Sequence, residues 1–470
     1  MTSIKTDNPA HHLGVGRSAV DVVPGRDVRL RLNDFYEVTG KADPSAAQAE
    51  GSNCMNCGAA FCMPDSGYGQ GCPIYNKIPE WNELVHLGRW HDAYKRLSET
   101  NPFPEFTARV CPAPCQDACI MGINDKPIQI KGIERAIIDR AFESGWVVPD
   151  VPDRTGKRVA VIGSGPAGLA AAQKLNEQGH DVTVYEQADK PGGLLRYGIP
   201  YMKLDKAVLD RRIEVMSNSG IMFKTNCAVG KDITAQQIAD DADAIILACG
   251  AMQPRDLPFP GRELRGIYQA VPYLTASTKS VSTEVPPDIS AKDKDVVIIG
   301  AGDTGADCIA TALRQGAKSV INLSYPEAPP YEREPDNPWP EFKRTYSYDY
   351  AHQEADAIQG KDCRWWAVNS TAFIPSENDA SHVGAIDLID MGDNDKEHRI
   401  PADLVVLSCG FIGHNAGPLV ETFESISEAK PLVVAGDMAM GPSLVVKAIA
   451  EGKRAATEVG RQLRLTAFNC

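Results

Sequence analysis

The sequence predicts an α/β fold: two Rossmann-like dinucleotide-binding units, one inserted in the other, behind a helical segment crowded with cysteines. Three observations predict it. Gly163-Ser-Gly165-Pro-Ala-Gly168 separates the apolar run Arg158-Val-Ala-Val-Ile from a helical pattern. Gly300-Ala-Gly302-Asp-Thr-Gly305 repeats that arrangement after Asp295-Val-Val-Ile-Ile. Of the 13 cysteines, the group Cys54, Cys57, Cys62, Cys72, Cys111, Cys115 and Cys119 is gathered ahead of both turns.

Bulk properties narrow the class. A chain of 470 residues has room for several domains. Its 43% apolar and 23% charged residues are ordinary for a soluble globular protein. No apolar run approaches the ~20 residues that span a bilayer. The start, Met1-Thr-Ser-Ile-Lys-Thr-Asp, lacks the charged-then-apolar order of a secretory signal, so a cytoplasmic location is expected. A formal charge of −14 argues against a general nucleic-acid binder. It suits a solvated acidic surface or docking to a basic protein patch.

Residues 1–28, polar and without period, read as a loosely held arm, and a helix is expected over Asp34–Thr39. The helical domain, 29–150, carries Cys54-x2-Cys57-x4-Cys62-x9-Cys72-Pro and Cys111-Pro-Ala-Pro-Cys115-x3-Cys119. Helices over Ile78–Leu87 and Trp90–Thr100 lie between the two groups, and an amphipathic helix over Gly132–Phe142 follows them. In a reducing compartment such density reads as metal ligation. Compact Cys-x2-Cys spacing with a terminal Cys-Pro is iron–sulfur grammar, with all-cysteine zinc sites as the competing reading. Seven sulfurs serve two clusters if one cluster takes an oxygen or nitrogen ligand. Beside a redox nucleotide, iron–sulfur has a task that zinc lacks. The scattered Cys227, Cys249, Cys308, Cys363, Cys409 and Cys470 mostly read as small buried side chains.

Pro149, Pro152 and Gly156 lead into the first nucleotide unit, expected over 151–270 with 400–470. Here Gly163 permits a tight turn, Gly165 lets a pyrophosphate approach the backbone, and Gly168 lets the helix pack on its strand. Pro166 and Ala167 open the helix, whose free N–H groups face the phosphates. The next strand, Val182-Thr-Val-Tyr, closes on Glu186, placed to accept from ribose hydroxyls. A Gly-rich loop follows, with Gly193, Leu194 and Arg196 as candidate contacts. Two nucleotide sites in one chain imply a flavoprotein that exchanges hydride with a nicotinamide, FAD occupying the first site. A buried strand ending at Gly250 and a late Gly436-Asp437, followed by Ser443-Leu444, complete the flavin candidates.

The second unit is expected over 271–399. Its NAD(P)H candidates are Gly300, Gly302, Asp303, Thr304, Gly305, Ser324 and Gly410. The strand Ser319–Ser324 ends without the acid that would bind a 2′-hydroxyl and repel a 2′-phosphate, which leans towards NADP. Lys318, Arg333, Lys343 and Arg344 are nearby cations, and residues 325–345 read as an irregular loop over the site. The run Ala402–Gly410 repeats Asp243–Gly250, which implies matched crossings between the units.

Several long stretches together resemble a known family over roughly 29–460. They are Ile78-Pro-Glu-Trp-Asn-Glu-Leu-Val, Asn101-Pro-Phe-Pro-Glu-Phe-Thr, Val110-Cys-Pro-Ala-Pro-Cys, Gly192-Gly-Leu-Leu-Arg-Tyr-Gly-Ile-Pro and Gly302-Asp-Thr-Gly-Ala-Asp-Cys. The chain is similar to the small (beta) subunits of glutamate synthase, and shares its architecture with the N-terminal half of dihydropyrimidine dehydrogenase. The resemblance implies that NADPH reduces FAD and that two [4Fe–4S] clusters pass single electrons to a large subunit, which forms glutamate. It implies one cluster on Cys54, Cys57, Cys62 and Cys119, and another on Cys72, Cys111, Cys115 and, where the relative has an amide, Glu134. No side chain need act as acid or base, since hydride transfer belongs to the cofactors. Two alternatives share these motifs: an NAD(P)H:ferredoxin-type or sulfide-linked oxidoreductase, and a non-catalytic electron-transfer subunit. The chain departs from the family in a longer Cys62–Cys72 loop, in Tyr201, and in Ala439-Met-Gly-Pro after Asp437.

Overall fold

The computed structural model describes residues 21–63, 70–414, 416–426 and 430–468. The expected N-terminal arm falls largely outside them, as does most of the Cys62–Cys72 loop. The described end of the arm is not loose. Val22 is buried and donates its N–H to Gln129 Oε1 at 3.0 Å. No helix forms over Asp34–Thr39; the local helix is Val28–Arg31, capped by Asp27, which accepts from the N–H groups of Arg29 and Leu30. Residues 34–39 cross between units instead, with Glu37 accepting from Arg109, Arg135 and the Asp205 N–H.

The cysteine region is built on Pro44–Ser52, Ile78–His86, Trp90–Ser98, Pro104–Val110, Pro114–Asp117 and Ile130–Glu143. Proline at the first turn of several of them sacrifices no hydrogen bond there. Trp81, Phe103, Phe106, Ile133 and Ile137 fill its interior and run without a break into the core of the first nucleotide unit. A buried pair, Arg212 Nε to Glu105 Oε1 at 2.5 Å, stitches the same seam.

Strands β1 (Arg158–Ile162), β2 (Asp181–Tyr185), β3 (Met222–Lys224) and β4 (Ala244–Leu247) form the first sheet. The chain leaves through β5 (Gln253–Pro254) and enters the second sheet with β6 (Ile267–Gln269), β7 (Asp295–Ile299), β8 (Ser319–Leu323) and β9 (Arg364–Trp365). An antiparallel meander of β10 (Val368–Pro375), β11 (Val383–Asp390) and β12 (Lys396–Pro401) lies between β9 and β13 (Leu404–Leu407). The chain returns through β14 (Phe411–Gly413), and β15 (Leu432–Val434) joins the first sheet. The orders are β15-β4-β1-β2-β3 and β6-β13-β7-β8-β9, each parallel throughout.

One unit is therefore inserted in the other, and the two crossings, β5 and β14, pair antiparallel. The insertion is wider than its expected limits. Both β6 and β13 belong to the second sheet, where β13 pairs with β6 and β7, so the limits at 270 and 400 cut through that sheet. The physical reason is that a strand following a crossover is placed by its parallel partners, which local sequence does not name. The helix expected to begin at Ser443 is Val445–Phe468, and it packs along Pro166–Glu177.

Candidate functional site

Both glycine turns lie at the carboxyl ends of their sheets, where open α/β sheets receive ligands. Gly163 has φ +98°, and a Cβ there would stand 2.5 Å from Ala248 O. Gly300 mirrors it, with φ +111° and a Cβ position 2.5 Å from Ser408 O. Side chains are thus excluded by the matched strands β4 and β13. Gly168 and Gly305 each face the carbonyl of the first glycine of their own turn. Gly165 and Gly302, at the N-termini of Pro166–Glu177 and Asp303–Arg314, meet nothing within 4 Å, the open approach a pyrophosphate needs.

Glu186 is buried at the end of β2. Its Oε2 accepts from Ser164 Oγ at 2.5 Å and Ser164 N at 3.2 Å, and Oε1 accepts from Ala188 N at 2.8 Å. Ser164 Oγ also accepts from Gly192 N at 2.9 Å, so this serine ties turn, acid and Gly-rich loop together. Motif reading passed over Ser164 because the fingerprint leaves its position free. Gly193, at φ +53°, packs on Gly165, and Leu194 begins the short helix Leu194–Tyr197. Arg196 is committed to the loop itself, donating to Pro191 O at 3.1 Å and to Asp210 Oδ1 at 2.5 Å. The late turn returns to this place: Gly436 abuts Ala167, and Asp437 Oδ1 accepts from Ser443 Oγ at 2.6 Å, with Leu444 next in the chain. Burial raises the Asp437 pKa, partly opposed by that hydroxyl. Gly250 and Gly410 occupy equivalent positions after β4 and β13, with φ +73° and +77°.

In the second unit Asp303 and Thr304 open the helix beside Gly302. Ser324 is buried past the end of β8, its N–H donating to Trp365 O at 2.9 Å and its carbonyl accepting from Val368 N at 3.0 Å. Of the nearby cations, Lys318 lies at the opposite end of β8, where Nζ meets Asp295 Oδ2 at 2.7 Å. Arg333 and Arg344 donate within the 325–345 loop, to Glu341 O and Asp336 O. That loop reaches the cysteine region: the Trp339 ring packs tilted against Phe61, centroids 5.0 Å apart, and Lys343 N donates to Asp117 Oδ2 at 3.1 Å.

The seven clustered cysteines form no disulfide and fall into two sets that adjoin through Cys62 and Cys115. Cys54, Cys57, Cys62 and Cys119 influence one another, as do Cys72, Cys111 and Cys115 with Glu134. Burial pushes the Cys72 thiol up to about 11 and Cys111 to about 12, and raises Cys62 and Cys115 as well. Burial also lifts Glu134 to about 7, against hydrogen bonds to Oε1 from Thr107 Oγ1 and Asn101 Nδ2, both 2.8 Å. Anionic sulfur in such a setting needs a compensating cationic centre, which an iron–sulfur group supplies. Among the described residues no three His, Cys, Asp or Glu side chains are grouped as ligands of a single ion.

A fold with two dinucleotide turns behind two thiol sets defines a pyridine-nucleotide oxidoreductase joined to an iron–sulfur domain. Family models agree: residues 31–146 match "Dihydroprymidine dehydrogenase domain II, 4Fe-4S cluster", and residues 157–333 match "Pyridine nucleotide-disulphide oxidoreductase". The glutamate synthase [NADPH] small chain of Bacillus subtilis is 45% identical over 93% of this chain and 95% of its own length. That of Escherichia coli is 32% identical over 92% and 95%. This chain belongs to the glutamate synthase small-chain family. The glutamate synthase [NADH] of Schizosaccharomyces pombe is 45% identical over 92% of this chain, which spans only 22% of that longer protein. Among solved structures, FprA, an oxidoreductase of Mycobacterium tuberculosis, shares the fold at TM-score 0.51 and 19% identity, covering 67% of this chain and 86% of its own.

Proposed function

We propose that this chain is the NADPH-oxidising small chain of a glutamate synthase. Electrons from NADPH pass through FAD and two [4Fe–4S] clusters to a large chain, which forms L-glutamate from 2-oxoglutarate and glutamine-derived ammonia. The observation that supports this reading is the continuous core joining the cysteine helices to the first nucleotide unit, the unit proposed to hold the flavin. When bound, FAD converts hydride into single electrons and the clusters carry them.

The chain's own residues orient and hold. Gly165 and Gly302 leave room for two pyrophosphates at helix N-termini. Glu186 and Asp437 would receive flavin hydroxyls; Ser324 sets no carboxylate against a 2′-phosphate. Cys72, Cys111 and Glu134 are buried and Cys115 is partly exposed, whereas Cys54, Cys57, Cys62 and Cys119 are each partly exposed. The more exposed set suits electron exit, and the more buried set suits the side of the flavin. The functional division places 29–150 with the clusters, 151–252 and 414–468 with FAD, and 255–410 with the coenzyme. No described helix is long and apolar enough to cross a membrane, and a cytoplasmic place of action is proposed. The large chain is the proposed partner.

The test is reconstitution. Alone with NADPH, the purified chain should reduce ferricyanide; with glutamine and 2-oxoglutarate it should yield glutamate only after a large chain is added. Glutamate formation by the isolated chain would overturn the reading.

A further inference from the structure

Lys203 Nζ lies 3.0 Å from Asp307 Oδ1, and the same oxygen accepts from Tyr350 OH at 2.8 Å. The three residues come from separate places in the chain. Lys203 follows the Gly-Ile-Pro200 that ends the first unit's Gly-rich loop. Asp307 lies one turn into Asp303–Arg314, the helix that opens at the second glycine turn. Tyr350 begins Tyr350–Gln359. Asp307 is buried, and Lys203 is largely so. Among the described residues this ion pair joins the two nucleotide units directly.

Its placement matters because the units are covalently linked only through the two crossings β5 and β14, a short ribbon with an irregular register. Such a ribbon can act as a hinge. Each dinucleotide is positioned by its own unit, so the separation of the reacting atoms depends on the angle between units. Hydride transfer is sensitive to that separation. Lighter contacts flank the pair: Thr275 Oγ1 donates to Tyr197 O at 3.4 Å, and Lys279 Nζ sits 5.2 Å from the Tyr197 ring centre. Both also run between the units. The helical domain contributes Lys131, within electrostatic reach of Lys203 and Asp303. Burial raises the Asp307 pKa, while Lys203 and Tyr350 work to keep it ionised.

We propose that Lys203 and Asp307 are positioning residues for hydride transfer, their ion pair holding the coenzyme unit in register with the flavin unit. This inference rests on the assignment of the two nucleotide sites given above. Neither residue belongs to a glycine fingerprint, and the reacting atoms belong to the cofactors. The pair acts by restricting the hinge, beside Met202, which is buried in the core of the second unit.

The test uses full-length holoprotein carrying Asp307→Asn, Lys203→Met or Lys203→Arg, studied by anaerobic stopped-flow reduction with NADPH. Asp307→Asn and Lys203→Met should lower the limiting rate of flavin reduction about tenfold or more, with coenzyme affinity changed less than about threefold. The long-wavelength charge-transfer absorbance between nicotinamide and flavin should weaken in step. Lys203→Arg should keep most of both. Flavin content, iron content and reduction by dithionite should match the wild type. Wild-type rates and charge-transfer absorbance in both disruptive variants would overturn the proposal. So would parallel losses of flavin, iron and coenzyme binding, which mark a folding role alone. A wild-type flavin that neither NADPH nor NADH reduces would instead overturn the site assignment beneath it.

Discussion

Arg31 Nε donates to Glu354 Oε1 at 2.6 Å, joining buried residues 323 positions apart. Arg314 Nη1 reaches the other carboxylate oxygen at the same distance, so one acid serves two guanidinium groups. This triad fastens Val28–Arg31 to the coenzyme unit. Removing its single anion leaves two buried cations unpaired. Glu354→Ala should therefore cost about 3–5 kcal/mol in chemical unfolding followed by fluorescence. A loss below 1 kcal/mol, on the order of an exposed pair, would show the triad to be solvated.

Ser164 and Glu186 make the second case. Their short bond fixes the acid beside the first glycine turn, where the flavin is proposed to bind. Hydrogen bonds to charged groups contribute about 1.5–3 kcal/mol. Glu186→Ala should weaken flavin retention roughly tenfold to a hundredfold, and Ser164→Ala should do so by less, in equilibrium dialysis followed by flavin absorbance. Full occupancy in Glu186→Ala would remove the acid from the site.

The thiol sets give a third. Single Cys→Ala changes at 54, 57, 62, 72, 111, 115 or 119 should lose iron and acid-labile sulfide. Cys227→Ala and Cys363→Ala should keep both. Glu134→Ala should deplete the set of Cys72, Cys111 and Cys115 alone, and Glu134→Gln should largely preserve it, since a side-chain amide can still donate an oxygen ligand. Retention of full iron by all seven cysteine variants, or zinc in place of iron, would end the electron-transfer reading.

What the sequence disclosed, and what it hid, follows from the range of the interactions. Both glycine turns, their strands and their helices were legible because each is a local pattern of period, turn and cap. The cysteine spacing was legible for the same reason. The meander β10–β12 was missed, since its alternation is broken by register shifts and its pairing is set across strands. Helices Pro44–Ser52 and Ala270–Thr283 were also missed. The first is short and alanine-rich, with little apolar period; the second mixes serine and threonine through its turns. The places of β6 and β13 were hidden because sheet membership is a long-range property. Ser164, Lys203 and Asp307 were hidden because their roles arise only when distant segments meet.

Lys206 supplies a pH dependence. Its buried ammonium donates to Leu195 O at 2.9 Å and Ile199 O at 2.6 Å, yet burial lowers its pKa to about 7. The unfolded chain, near the usual lysine value, binds more protons above pH 7, so this group makes stability rise with pH. The window runs from about pH 7 upward, with a slope of at most about 1.4 kcal/mol per unit. Lys206→Met should flatten the slope between pH 7 and 8.5 relative to wild type, as read by urea midpoints. Parallel slopes in the two proteins would exclude Lys206 as their source.

Coenzyme choice is the last prediction, and it turns on the end of β8. Ser324 is fixed there by Trp365 and Val368 through its backbone, which leaves the side chain as the only variable. An acid at this position would accept from a 2′-hydroxyl but would oppose a 2′-phosphate. Two like charges 4 Å apart repel by about 4 kcal/mol at the effective dielectric of a protein surface. With serine in place, kcat/KM for NADPH should exceed that for NADH. Lys318 cannot account for the preference, since its ammonium is held by Asp295 at the far end of the strand. Ser324→Asp should lower kcat/KM for NADPH at least about tenfold and spare NADH, which erodes or reverses the ratio. Because the new carboxylate enters a buried position, Tm and flavin content must be measured beside the kinetics. Loss of activity with both coenzymes and a fallen Tm would report damage to the strand end. A wild type that strongly prefers NADH would overturn the assignment of Ser324 outright.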